Sequence, residues 1–156
     1  MFHKAIRLEL KEGTSLELLF MDGKVMRYDM AWLFGVYPQL EALKDRDLFL
    51  SGKLMGGYGV IWTDELDLEA ETVYEEGELI RIEDIPARIR MGQAVWDARS
   101  KAGMTQSMLS KACGIDQSDL SKLERGLLNP SIGLLERIAD ALGMQLEIRF
   151  EQKEKR

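Results

Sequence analysis

The glycines and capping residues between Thr105 and Gly126 leave room for two short helices joined by one sharp turn. Thr105 offers an N-cap hydroxyl to the run Gln106-Ser107-Met108-Leu109-Ser110-Lys111-Ala112, and Leu109, Ala112 and Cys113 recur at i, i+3 and i+4, the spacing of an inward-facing helical stripe. Gly114 can adopt the left-handed backbone that a tight reversal needs, Ile115 follows as an apolar plug, and Asp116 is placed to cap a helix from Gln117 to Arg125 that Gly126 stops. At 100° per residue, Gln117, Ser118, Ser121, Lys122 and Arg125 fall within an arc of about 140°, with Leu120 and Leu123 on the opposite side. One side of this helix is expected in a core; the other is expected to be free and rich in amide, hydroxyl and cationic groups.

Two further helices complete the cluster. Met91, Val95, Ala98 and Ala102 form one apolar stripe that ends at Gly103, and Asn129-Pro130-Ser131 opens a helix that buries Leu134, Leu135, Ile138, Ala141 and Leu142 before Gly143. Four short helices around a turn specify a small all-α unit. Beyond Gly143, Met144-Gln145-Leu146-Glu147-Ile148-Arg149-Phe150 alternates apolar and polar residues, so a short strand is expected, its partner the same strand of a second copy rather than the N-terminal sheet. The charged tail Glu151-Gln152-Lys153-Glu154-Lys155-Arg156 is expected to fray.

The first eighty residues follow a different period. Alternation predicts strands over Ile6 to Leu10, Ser15 to Phe20 and Val25 to Tyr28, joined by turns at Glu12-Gly13-Thr14 and Met21-Asp22-Gly23-Lys24. A short helix capped by Asp29 should end near Gly35 and Pro38, and further strands are expected at Asp47 to Ser51 and Gly59 to Trp62. Met55-Gly56-Gly57-Tyr58-Gly59 lacks the spacing of a phosphate-binding loop and reads as a turn between strands. The acidic run from Asp64 to Glu78 lacks the calcium-loop pattern and is expected to form a solvated face. Trp32 and Trp62 are expected to anchor the core, and His3 to lie at the surface. At Leu79 to Pro86 the strand-like period gives way to the helical one, and Pro86 bars a helix from running backward. The predicted organisation is α+β: an acidic, mainly antiparallel β domain with a short helix over residues 1–84, then a helix-turn-helix domain with a C-terminal strand and tail over 85–156.

Composition excludes several function classes. The chain has 156 residues, 46% of them hydrophobic, and can bury a core. No stretch approaches the roughly 20 apolar residues that span a bilayer, so no membrane partner and a cytoplasmic location are expected. One cysteine and one histidine leave no disulfide framework and no zinc cluster. Cys113, with nothing to activate it, reads as a small buried side chain. No assembled catalytic group stands out, so neither an enzyme nor a cofactor or metal is expected. The net charge of -6 divides unevenly: residues 1–84 hold 9 Lys+Arg against 18 Asp+Glu, and residues 85–156 hold 12 against 9. A module that meets a polyanion, attached to one that does not, would have this asymmetry.

The segment Gly92 to Gly143 resembles the lambda-repressor-like, Xre-type helix-turn-helix family. The resemblance rests on Arg99, Gly103-Met104-Thr105-Gln106, Gly114-Ile115, Leu120-Ser121-Lys122-Leu123-Glu124-Arg125-Gly126 and Asn129-Pro130-Ser131. It implies a recognition helix in the major groove of double-stranded DNA and, commonly, homodimers on inverted repeats. Carried over by position, Gln117, Ser118, Ser121 and Lys122 would read base edges, and Gln106, Arg125 and Asn129 would hold phosphates. The implied function is a transcription regulator, a repressor or antitoxin-like autoregulator. The N-terminal half resembles a small bacterial domain of unknown function through Phe20-Met21-Asp22-Gly23 and Ile61-Trp62-Thr63-Asp64 to Leu66-Asp67, which brings no activity with it. The alternative is an interaction module whose acidic half binds a partner protein while DNA binding is weak.

Overall fold

Ser15–Phe20 supplies the strand around which the N-terminal unit is built, because five of its six side chains are buried. A computed structural model describes residues 2–153; Met1 and the end of the charged tail, 154–156, lie outside the described residues. The fold is α+β, and contacts divide it into two units, one ending at Ile85 and one beginning at Pro86.

In the first unit, β1 (Ala5–Leu10), β2 (Ser15–Phe20), β3 (Lys24–Asp29) and, much later in the chain, β7 (Glu78–Ile82) form one antiparallel sheet in the order β1-β2-β3-β7. A second sheet joins β4 (Lys53–Met55), β5 (Gly59–Thr63) and β6 (Leu66–Glu69), and the helix α2 (Ala70–Glu76) follows. Leu16, Leu18 and Phe20 meet Tyr28, Leu43, Phe49, Val60 and Val73 in one apolar core, which the period-two spacing of each strand makes continuous. The reversal between β2 and β3 requires glycine: Gly23 has φ +91°, and a Cβ there would lie 2.4 Å from the Glu83 carbonyl oxygen.

Several expectations are corrected. Asp47 to Leu50 is helical, with Ser51 at the C-cap, and not a strand, because Asp45 caps α1 (Arg46–Leu50) by accepting from the Leu48 N–H at 2.9 Å. The Asp29-capped element is a 3-10 turn, Met30–Leu33, and Pro38 begins a second one, Pro38–Lys44, rather than only ending the first. Trp62 is buried and donates to the Phe49 carbonyl at 2.8 Å, but Trp32 is 54% exposed. The acidic run keeps the solvated face expected of it, with Asp64, Asp67, Glu69, Glu75, Glu76 and Glu78 exposed, but it is ordered as β6, where Leu66 and Leu68 point inward, and α2. His3 is half-buried: its Nδ1 lies 2.7 Å from Glu71 Oε1, and its ring stacks on Tyr74.

The second unit contains α3 (Ala87–Lys101), α4 (Gln106–Cys113), α5 (Gln117–Glu124) and α6 (Ile132–Ala141) around Val95, Leu109, Cys113, Leu120, Leu123 and Ile138. Ala112, expected inside, is exposed. Met144–Phe150 forms no strand among the described residues, since a strand needs a neighbour and a single chain supplies none there.

On the opposite face of β2 from Leu16 and Leu18, Glu17 is 3% exposed, with Arg27 Nη2 at 2.9 Å, Arg81 Nη1 at 3.0 Å and Lys11 Nζ at 3.7 Å. Burial pushes this carboxyl up, but the hydrogen bonds from Arg27 and Arg81, with the charge of Lys11, outweigh it and hold the group below the ordinary carboxylate range. A lowered carboxyl stabilises the fold at neutral pH, and that stabilisation disappears as pH falls through its depressed value. Glu17→Gln should therefore cost about 1–2 kcal/mol at pH 7, and the gap from the unsubstituted chain should close between about pH 5 and pH 3. Thermal unfolding followed by circular dichroism across that range checks it; a gap independent of pH would refute it.

Candidate nucleic-acid interface

Thr105 caps α4 by accepting from the Met108 N–H at 3.1 Å, which fixes where the motif's first helix begins. Gly114 closes that helix at φ +73°, donating its N–H to the Ser110 carbonyl at 2.9 Å, and the chain reverses into α5 within three residues. Asp116 stands at the cap position of α5, but its carboxylate makes no cap bond there; its backbone carbonyl accepts from the Leu120 N–H at 3.0 Å. The expected side-chain cap is thus replaced by a negative charge placed at the positive end of the helix dipole.

From this start α5 divides as its spacing predicts. Leu120 and Leu123 are fully buried, while Gln117, Ser118, Lys122 and Arg125 are exposed and Ser121 is half-buried. Arg125 follows directly on α5, with its Nε donating to the Ser121 carbonyl at 3.3 Å, so the guanidinium lies back along the helix. Asn129 is exposed in the loop between α5 and α6, the latter capped by Ser131 through the Leu134 N–H at 3.1 Å. Gln106 is half-buried at the start of α4 and donates through Nε2 to Glu124 Oε2 at 2.9 Å, which leaves its second side-chain N–H and its first-turn backbone N–H for another acceptor.

Glu124 is the residue that sequence reasoning passed over. It is buried and takes both Arg99 Nε, on Oε1, and Arg99 Nη2, on Oε2 at 3.0 Å; Arg99 Nη1 reaches the Met104 carbonyl at 2.9 Å. One carboxylate therefore joins α3, the entrance of α4 and the end of α5, and among the described residues no buried side-chain polar atom lacks a partner. The signal was present: Glu124 stands four residues after Leu120 and one after Leu123, on the edge of the inward stripe. Close packing helps. A Cβ on Gly92 would lie 2.4 Å from the Leu123 carbonyl oxygen, so α3 crosses the end of α5 with backbone almost against backbone.

Residues 97–148 match the family described as Helix-turn-helix, and residues 5–78 match one described as a protein of unknown function, DUF2442. Control protein C.BamHI of Bacillus amyloliquefaciens is 39% identical over 59 residues, which are 37% of this chain and 73% of that protein. The chain belongs to the helix-turn-helix family. Solved structures similar to it include the restriction-modification controller protein C.AhdI from Aeromonas hydrophila, 29% identical over 38% of this chain and 89% of that one with a TM-score of 0.37. The clp gene regulator ClgR from C. glutamicum is 30% identical over 42% of this chain and 85% of its own, with a TM-score of 0.41.

Within the helix-turn-helix unit, Arg99 and Glu124 sit where removal of one partner strands the other. Arg99→Met should cost about 3–5 kcal/mol in chemical denaturation, and Arg99→Met with Glu124→Met should recover most of that loss. Equal instability of the single and double variants would show that the pair does not hold the helices together.

Proposed function

We propose that the C-terminal domain, 85–156, binds duplex DNA sequence-specifically, and that the chain acts as a homodimeric transcription regulator, a repressor or antitoxin-like autoregulator of the cytoplasm. One observation carries this reading: α5 turns an open side of amides, hydroxyls and cations to solvent, while Leu120, Leu123 and Glu124 secure its other side. The width of the major groove admits such a helix. Similarity to a control protein supports the same reading.

The roles follow from the chemistry of each side chain. Gln117 offers a bidentate donor and acceptor that suit adenine, and Ser118, Ser121 and Lys122 reach neighbouring base edges. Arg125, Asn129 and the free N–H groups of Gln106 hold phosphates on either side and set the register. The N-terminal domain, 1–84, presents Trp32, Val36 and Tyr37 to solvent and supplies the surface for a protein partner. The chain itself carries out no reaction in this reading.

Selection of bound fragments from random duplex DNA should return an inverted repeat, with log affinity falling by about 0.9 per neutralised phosphate for each unit of log salt. Gln117→Ala should cost about 1–3 kcal/mol on the selected site and relax one position of it, whereas Lys122→Ala should weaken binding. Fluorescence anisotropy on selected and scrambled duplexes measures both. Failure to enrich any sequence, or affinity indifferent to salt, would reject the reading.

A further inference from the structure

We propose that a second copy of this chain docks through Met144–Phe150, the two segments pairing as antiparallel strands in a register centred on Ile148. The proposal rests on the reading of the chain as a dimer and names the surface that makes it one.

The segment follows directly on α6, whose end is fixed by Gly143 at φ +67° and by the Met144 N–H donating to the Ala139 carbonyl at 2.8 Å. Three of its four apolar side chains are uncovered, Phe150 at 100% exposure, Ile148 at 59% and Met144 at 45%, while Leu146 is half-buried. Ile132, on α6, is also exposed. Between α6 and the segment runs a groove of about 420 Å³, lined by Ile132, Ala139, Leu146 and Ile148 with Glu136 and Asp140 of α6 at its edge. Three large uncovered apolar residues within seven, beside an open groove with an apolar floor, make a surface that solvent alone does not favour. Backbone groups of an alternating segment without a ladder are satisfied when a second strand is added.

Charge selects the partner and the register. Two copies related by a two-fold axis can pair as antiparallel neighbours only when the axis passes through equivalent positions, so each residue faces one of its own parity. Centred on Ile148, Glu147 faces Arg149 twice, Leu146 faces Phe150 twice, and Ile148 faces itself. Centred on Glu147, two carboxylates oppose each other; centred on Arg149, two guanidiniums do, and Glu147 faces Glu151. Centred on Leu146, no ion pair forms. Among the described residues of one chain Arg149 has Glu151 at 4.0 Å, both well exposed, so the cross-strand pairing is the better use of that charge. The same register places Leu146, Ile148 and Phe150 of both copies on one face, the face that can close over the α6 grooves.

The full chain, studied by analytical ultracentrifugation, tests this through charge reversal. Glu147→Arg and Arg149→Glu should each raise the dimer dissociation constant about tenfold, because each sets like charges opposite twice, and the double substitution should return it to within about threefold of the original. Ile148→Cys should cross-link two copies under mild oxidation, and Glu147→Cys, which faces position 149, should not. No recovery in the double variant, or equal cross-linking at 147 and 148, overturns the proposal. Anisotropy with a duplex carrying one half-site separates the two ideas: duplex binding without strand pairing discards this interface alone, whereas no binding by the unsubstituted chain discards the DNA reading.

Discussion

The buried carboxylate of Glu124 fixes the angle between the helices on which the exposed side of α5 depends. Leucines alone would hold α5 against the core, but apolar contacts are tolerant of rotation and sliding. Two hydrogen bonds from Arg99 and one from Gln106 reach the same carboxylate and are directional. The third guanidinium bond, to the Met104 carbonyl, ties in the turn before α4. Burying such a charge is costly, and it is tolerated here because both carboxylate oxygens have partners. The outcome is orientational: α4 and α5 meet at a set angle, and Gln106 is held at the α4 entrance against the last turn of α5.

Glycine does the complementary work. Gly92 lets α3 approach the last turn of α5 until only hydrogen fits between them, and Gly126, at φ +74°, leads the chain away beside Ile89, where a Cβ would lie 2.9 Å from the Ile89 side chain. Any side chain at either place would push α3 and α5 apart, and the Arg99 fork would then no longer span to Glu124. Close backbone packing and the ion pair are thus one device.

These parts were unequally legible. The exposed arc from Gln117 to Arg125 followed from helical spacing, since burial on a short helix is set by neighbours at i+3 and i+4. The meander β1-β2-β3 followed from alternation and from Gly13 and Gly23. Asp47 to Ser51 misled because Leu48-Phe49-Leu50 is an apolar run with no period, and Asp45, the cap that decides for a helix, stands two residues before Asp47. Trp32 misled because its ring lies edge-on to Tyr28 at the surface rather than beneath it. Glu124 was hidden by its charge: a glutamate on an inward stripe counts against burial until its cation is identified, and Arg99 stands 25 residues away. The pairing of β7 with β3 was equally invisible, because nothing local in Glu78–Ile82 names a strand fifty residues earlier.

The two units also handle charge differently, and this bears on selectivity. In the N-terminal sheet, Arg7, Arg27 and Arg81 neutralise Glu9, Glu17 and Glu83 across the strands, so the unmatched acid of that half is concentrated elsewhere, chiefly in the run from Asp64 to Glu78. A helix-turn-helix domain with an excess of only three positive charges, joined to a half with twice as many acids as bases, gains little from long-range attraction to a polyanion. Attraction of that kind is what holds a protein to arbitrary sequences. The base contacts proposed for Gln117, Ser118, Ser121 and Lys122 would act within hydrogen-bond distance and so would be little affected by it. Under the proposed function, an acidic half therefore lowers affinity for all DNA by a similar factor while leaving the difference between a matched and an unmatched site intact, and residence on unmatched DNA is what such a protein would lose.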